Sequence, residues 1–375
     1  MMENCTGKNL TPNSLVAIAQ QFKTQGKIVE ISEHGSGNIN QTFLVTLDNR
    51  SESNFILQRL NTKVFTQPEL VMSNIELVCD RVNQKLQSDD SCDRDWQMPR
   101  VLKTADNNNY FIDNEGLFWR AISYIPNSQS FDTIQHSRHG EEIGYGLGMF
   151  HNLVSDLPVD SLADTLVGFH ITPNYLQHYH RVLATIPFLS SPENNYCHRF
   201  IGDRVKFASV LENAKAAGEL KLRTIHGDPK INNIMLDKTT GQAIAVIDLD
   251  TVKPGLVHYD IGDCLRSGCN VLGEETPDWE QVRFEPEIAQ AILRGYLTIA
   301  QQFLSDRDYH YIYDAIRLLA FELGLRFFTD YLQGNIYFKA NYPEHNRDRA
   351  LVQFKLTESI ESQESVIRQI IRDCY

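Results

Sequence analysis

Basic side chains are in short supply in this 375-residue chain: 35 Lys and Arg stand against 48 Asp and Glu, a formal net charge of −13. A nucleic-acid or anionic-membrane surface needs a basic face, so neither partner is expected. Long apolar runs are also missing. Leu318-Leu319-Ala320-Phe321 is typical of the longest, far short of the roughly 20 residues that span a bilayer. Met1-Met2-Glu3-Asn4-Cys5 has neither the basic start nor the apolar core of a signal peptide. The seven cysteines, an odd number, show no Cys-x-x-Cys spacing and no zinc-type Cys/His cluster. Cys264 and Cys269 read as small apolar groups on a helix. No Gly-Lys-Ser/Thr signature, internal repeat or low-complexity tract occurs. These absences describe a reduced, cytoplasmic protein.

What is present suits a globular chain of two lobes: 42% hydrophobic and 22% charged residues over a length too great for one small core. Apolar spacing predicts a helix over Pro12–Phe22 and strands over Lys27–Ile31, Thr42–Leu47 and Asn54–Leu60. A helix over Pro68–Leu86 comes next, then strands at Met98–Leu102, Tyr110–Ile112 and Trp119–Ile125. Beyond Pro126-Asn127-Ser128 the pattern turns helical: Glu141–Val154, Ile201–Ala217, Pro286–Phe303, Tyr309–Leu332 and Arg347–Ile371. Residues 222–250 read as short strands and loops. The expectation is an α+β chain, with an N-lobe of antiparallel sheet and helix over 1–125 and a larger, mostly helical C-lobe over 126–375. A face of the last helix could support a homodimer, but core packing explains Leu351, Phe354 and Ile360 equally well, so monomer and homodimer both stand.

One segment carries most of the chemistry. His226-Gly227-Asp228-Pro229-Lys230-Ile231-Asn232-Asn233 precedes Val246-Ile247-Asp248-Leu249-Asp250. An Asp, an Asn five residues on and a further Asp after an apolar strand are the groups that phosphoryl transfer from a nucleotide needs. Asp228 would orient and deprotonate an acceptor hydroxyl. Asn233 and Asp248 would supply neutral and anionic oxygen ligands to Mg2+. Asp250, on a strand sharing the face of Asp248, could hold a second metal, touch the acceptor or cap the next segment. His226 would hydrogen-bond the loop backbone or Asp248.

Other candidates are less specific. His34-Gly35-Ser36-Gly37-Asn38-Ile39-Asn40 joins the first two strands, and its glycines let backbone approach phosphates. Gly35, Ser36, Gly37 and Asn38 are therefore cofactor candidates against an ordinary hairpin. Gln58-Arg59 occupies the place of a kinase phosphate-binding Lys. Alternation lets only one of the two face the site, Arg59 by charge or Gln58 instead, with Glu76 as a candidate ion-pair partner. Tyr124 and Ile125 lie where the lobes join and would meet adenine. Asp260 or Asp263 could cap a helix, with Arg266 pairing with either. Arg326 lies four residues from both Glu322 and Asp330, so a helix-face ion ladder competes with acceptor binding by Arg326 and Tyr337.

These residues resemble the aminoglycoside phosphotransferase and choline kinase-like superfamily of small-molecule kinases, which have a bilobal protein-kinase-like fold. His226, Asp228, Asn233 and Asp248 match its catalytic and metal-binding pattern. Within it the chain is most similar to the N-acetylhexosamine 1-kinase group, through residues 55–62, 246–255 and 325–338, the likeness running from about Gly26 to Phe338. The resemblance implies ATP- and Mg2+-dependent phosphorylation of the anomeric hydroxyl of an N-acetylated hexosamine. It implies a sugar held by Asp228, Arg326 and Tyr337. Where that group often has Gly-His-Ile-Asn, this chain reads Gly37-Asn38-Ile39-Asn40, so Asn38 is a candidate on the acceptor too. Amino alcohols, methylthioribose and aminoglycosides are the alternative acceptors, and a nucleotide-binding pseudokinase is the alternative outside catalysis.

Overall fold

The architecture is that of a computed structural model, which describes residues 11–24, 26–35, 39–48, 54–88 and 94–375. It has an α+β fold, with an antiparallel sheet in the N-terminal part and a mostly helical C-terminal part. The chain divides into two compact units, residues 1–84 with 97–127 and residues 85–96 with 128–375.

In the first unit, α1 (Pro12–Ala19) starts with Pro12 behind a side-chain cap, the Thr11 hydroxyl accepting from the Ser14 N–H. Strands β1 (Ile28–Glu33), β2 (Gln41–Leu47) and β3 (Phe55–Arg59) form successive antiparallel neighbours. After α2 (Pro68–Ser88) come β4 (Val101–Leu102), β5 (Phe111–Ile112) and β6 (Phe118–Ser123), the sheet running β1-β2-β3-β6-β4 with β5 also on β6. Alternation along the strands puts Phe43, Val45, Phe55, Leu57, Trp119 and Ala121 on one face, where they bury against Leu15, Ile18 and Phe22. The first helix is shorter than its apolar pattern predicts, because Phe22 leaves it to bridge Thr104.

The second unit sets short strands among helices. β7 (Ser128–Gln129) pairs with β9 (Ile234–Asp237), which pairs with β10 (Ala243–Val246), while β8 (Arg223–Ile225) pairs with β11 (Lys253–Gly255). Its helices are α3 (Ser137–Leu153), α4 (Thr172–Thr185), α5 (Pro192–Arg204), α6 (Val210–Ala216), α7 (Val257–Gly268), α8 (Pro286–Ala300), α9 (Asp306–His310), α10 (Ile312–Leu332), α11 (His345–Ser362) and α12 (Glu364–Asp373). The helix expected over Ile201–Ala217 is instead the end of α5, a 3-10 turn and α6. α9 opens on its own capping box between Ser305 and Asp308, and Tyr311 separates it from α10. The last predicted helix breaks at Gln363, and Leu351, Phe354 and Ile360 are buried in the unit's core.

The tightest helix contact is between α3 and α8. A Cβ on Gly144 would lie 1.9 Å from the Ile292 carbonyl oxygen, and one on Gly295 would lie 1.9 Å from that of Glu141. Gly148 likewise leaves room for the Tyr296 carbonyl, 2.8 Å from its missing Cβ. The pair can close only because these positions carry no side chain.

Candidate active site

The motif segment starts where β8 ends at buried Ile225. The chain turns sharply through Gly227 (φ 87), whose Cβ, if it had one, would meet the Thr251 carbonyl oxygen at 2.6 Å. His226 is fully buried and spans the turn. Its Nε2 is 2.8 Å from the Ile247 carbonyl, which can only accept, so that nitrogen donates. Nδ1 is then the acceptor for the Asp228 N–H at 3.3 Å. Asn233 donates Nδ2 to the Asp228 carbonyl (2.8 Å), and the Ile247 N–H donates back to the Asn233 carbonyl (2.9 Å). The four residues thus close a ring of hydrogen bonds. Asp228 and Asn233 are members of it, and Asp248 comes directly after its fourth member, Ile247.

Asp248 is exposed and left-handed (φ 61, ψ 56). A non-glycine residue there is strained by about 1–3 kcal/mol, and its neighbours are fixed by the ring on one side and by a tight turn on the other. That turn, Leu249–Thr251, is 3-10 rather than strand, so Asp250 does not share a strand face with Asp248; it is buried at 3% exposure. Because Asn233 spends its amide nitrogen on the ring, its carboxamide oxygen is left for a ligand. With the exposed Asp248 carboxylate it makes a hard-oxygen donor set that fits Mg2+.

The ring hangs from α7. Asp260, fully buried, accepts the His226 N–H (2.6 Å) and His151 Nε2 (2.8 Å) on Oδ2, and the Gly227 N–H (2.9 Å) on Oδ1. His151 Nδ1 in turn meets the Tyr296 hydroxyl at 3.0 Å. Burial pushes the Asp260 carboxyl up, but the hydrogen bonds from His151 and the Gly227 N–H hold it below its ordinary value. The capping role expected for Asp260 does not occur: α7 begins at Val257 without a side-chain cap. Asp263 instead pairs with buried Arg266 at 2.8 Å, which also binds Glu274.

Lys230 Nζ lies 3.0 Å from Asp228 Oδ2. Burial raises the Asp228 carboxyl, and Lys230, with Arg266, more than offsets it, so Asp228 is held below its ordinary value. The Lys230 ammonium is raised, first by Asp228.

Arg326, on α10, is ringed by aromatics. Its guanidinium carbon is 5.1 Å from the Phe169 ring centre, 5.0 Å from Tyr175, 5.9 Å from Tyr337 and 5.4 Å from Phe338. Among the described residues it has no hydrogen-bond or ion-pair partner. The helix-face ladder does not form. Glu322 accepts from His170 Nδ1 (2.9 Å) and Thr172 Oγ1 (2.6 Å). Asp330 accepts three successive backbone N–H groups, of Ile336, Tyr337 and Phe338, at 2.9, 2.7 and 3.0 Å. That clamp curls the chain so that Tyr337 and Phe338 return to Arg326. Burial lowers the Arg326 guanidinium, but Tyr175, Tyr337, Glu322 and Asp228 raise it on balance, so Asp228 lies within electrostatic reach.

A model of the phosphotransferase enzyme family matches residues 30–313, well over half of the chain. The chain belongs to the phosphotransferase enzyme family. Three solved structures share its fold at low identity. An aminoglycoside phosphotransferase from Alicyclobacillus acidocaldarius is 14% identical with a TM-score of 0.64, covering 100% of both chains. A microcompartment-associated aminopropanol kinase is 16% identical with a TM-score of 0.62, covering 96% of this chain and 100% of its own. A choline kinase from Cryptosporidium parvum is 13% identical with a TM-score of 0.61, covering 96% and 98%.

In this phosphotransferase the first unit holds the remaining sequence candidates. Ser36, Gly37 and Asn38 lie outside the described residues; Gly35 is left-handed (φ 77) with open space around it. Gln58 does not extend freely from β3. Its Oε1 accepts Nε (2.9 Å) and Nη2 (2.7 Å) of Arg120, a buried cation opposite it on β6, and its Nε2 donates to Thr42 Oγ1. Arg59 is half-buried on the other face of β3. Glu76 binds Lys103 and Asn109 rather than Arg59. Tyr124 donates its N–H to the Asn54 carbonyl and meets the ring of His34 edge-on, and Ile125 is buried. Sequence reasoning missed Lys230, Arg120, Phe169, Tyr175 and Phe338. Lys230 alone carried a local signal, a cation two residues from Asp228.

Proposed function

We propose that the protein is an ATP-dependent small-molecule kinase that phosphorylates a hydroxyl of a neutral or anionic acceptor, foremost the anomeric hydroxyl of an N-acetylhexosamine. The observation that carries this is the unpartnered Arg326 guanidinium, walled by aromatic rings and within electrostatic reach of Asp228. Five N–H donors facing aromatic walls suit a sugar, whose oxygens accept and whose C–H faces pack on rings.

Asp228 takes the proton of the acceptor hydroxyl as its oxygen attacks the γ-phosphorus, and ADP leaves. Its carboxylate is available because Lys230 keeps it ionised. Lys230 lies beside it and balances charge on the transferred phosphoryl group. Asn233 and Asp248 would hold Mg2+, which when bound neutralises phosphate charge, and Asp250 supports the turn. His226 orients the loop rather than reacting. The segment from Gly35 to Asn40, with Gln58, Arg59, Tyr124 and Ile125, is assigned to the nucleotide. The solved relatives in complex with ADP or GDP support nucleotide use; one of them also holds spectinomycin.

A cationic amino alcohol is the competing acceptor, favoured by the names of the aminopropanol and choline kinases of the same fold and by the net charge of −13. Arg326 would repel it. The test is ADP release from ATP and Mg2+ with N-acetylglucosamine, N-acetylgalactosamine, their unacetylated parents, aminopropanol, choline and kanamycin. Turnover on the N-acetyl sugars supports the proposal. Turnover on a cation alone overturns the acceptor class, and turnover on none favours the pseudokinase.

A further inference from the structure

One buried titratable group near the ring of hydrogen bonds has no part in the transfer itself. His170, 4% exposed, precedes α4 in a left-handed conformation (φ 64). Its Nε2 is 2.8 Å from the Gly227 carbonyl and its Nδ1 is 2.9 Å from Glu322 Oε1. A carbonyl only accepts, and so does a carboxylate already accepting from Thr172. Both ring nitrogens therefore donate, which makes the side chain an imidazolium.

Each contact reaches a different part of the site. Gly227 immediately precedes Asp228. Glu322 lies one turn before Arg326 on α10. Phe169, next in the chain to His170, is a wall of the Arg326 cage, as is Tyr175, whose hydroxyl sits against the His170 backbone N–H.

We propose that His170 is a positioning residue: its two ring hydrogen bonds hold the catalytic loop and the aromatic acceptor wall in one register. The proposal rests on reading Asp228 as the catalytic group and Arg326 as an acceptor group.

The surroundings favour the charged ring. Glu322 faces it from α10, and Asp263 and Tyr259 face it from α7, with the Tyr259 ring stacked at 5.5 Å and its hydroxyl given to Glu212 of α6. Burial lowers the His170 imidazole, but Glu322, Asp263 and the Gly227 carbonyl raise it above its ordinary value on balance. Burial raises the Glu322 carboxyl, but His170, Arg326 and Thr172 bring it below its own. The bridge is complete at neutral pH. It is lost as pH rises through the raised His170 value, and at the acid end as Glu322 protonates.

The test has two arms. The first needs no acceptor. In protein labelled with 15N, the His170 ring, assigned with His170→Gln, shows two N–H groups at neutral pH and deprotonates on the alkaline side, and the Asp228 amide and Arg326 Nε signals track that titration. Glu322→Gln moves the titration to lower pH and serves for assignment if His170→Gln does not fold. A neutral His170 at pH 7, or Asp228 and Arg326 signals indifferent to its titration, overturns the proposal. The second arm is kinetic, with the best acceptor of the panel. His170→Gln raises the acceptor KM about tenfold while the ATP KM stays within about twofold, and the alkaline rise in acceptor KM of the wild type disappears. An unchanged acceptor KM, or an equal change for ATP, also overturns it. Absence of any turnover defeats the proposed function and leaves His170 to be judged by the first arm.

Discussion

Replacing Asp260 by Asn would test whether the catalytic loop depends on α7. The carboxylate receives three donors, the N–H groups of His226 and Gly227 and His151 Nε2. An amide keeps one accepting oxygen and turns an NH2 toward a donor. One charged hydrogen bond, worth about 1.5–3 kcal/mol, is lost, and a buried N–H left facing a donor costs about 1–3 kcal/mol more. The sum, about 2.5–6 kcal/mol, is smaller than most of the roughly 5–15 kcal/mol range that holds a domain folded. The variant should therefore fold, with a displaced loop. A shift of about 1 Å at the reacting groups costs on the order of 100-fold in rate. The expected result is kcat down about 100-fold, with the urea midpoint by circular dichroism clearly lowered. A variant as active and as stable as wild type would refute the claim that Asp260 holds the loop.

Asp228→Asn should reduce kcat by about 10²–10⁴-fold with the urea midpoint little changed, since the Lys230 pair it also removes is partly exposed. Because Asp228 is held below its ordinary value, its ionised form persists as pH falls, so the acid limb of kcat should lie under the usual carboxylate value of about 3.9; Lys230→Met should move that limb upward. Asp330→Ala frees three backbone N–H groups and should release Tyr337 and Phe338, raising the acceptor KM about tenfold or more with the ATP KM steady. Gly144→Ala forces α3 from α8 and should lower stability by about 3 kcal/mol, read as a urea midpoint.

The α+β fold was legible because its elements announce themselves locally. β2 and β3 alternate, and α8 and α10 carry long apolar patterns. The candidate segment was legible for the same reason: Asp228, Asn233 and Asp248 lie within one short stretch. Much of the structure supporting that segment was not. Asp260 looks like a cap in sequence because a carboxylate near a helix start usually is one, yet it points back to a loop 33 residues earlier. Glu322 and Asp330 sit at ion-ladder spacing from Arg326, and both prefer stronger partners: a buried histidine and a row of backbone N–H groups. Phe169 and Tyr175 reach Arg326 from about 150 residues away, a proximity only tertiary structure creates. Gln58 gave no hint of Arg120, because the pair forms across two strands 62 residues apart.

The glycine contact between α3 and α8 has a consequence for how this protein can diversify. α3 carries His151 in its last turn and α8 carries Tyr296, and through these two the spacing of the helices passes to Asp260 and on to the candidate catalytic loop. A spacing set by absent side chains has nothing to repack, so it cannot drift by small steps. The walls around Arg326 come from elsewhere, the approach to α4 and the turn after α10, and are built of large side chains that can be exchanged one at a time. Under the proposed function, the reacting half is rigidly inherited while the recognition half is open to revision, with His170 as their proposed joint. Redesign toward a new acceptor should begin at Phe169, Tyr175, Tyr337 and Phe338 and leave the glycines alone.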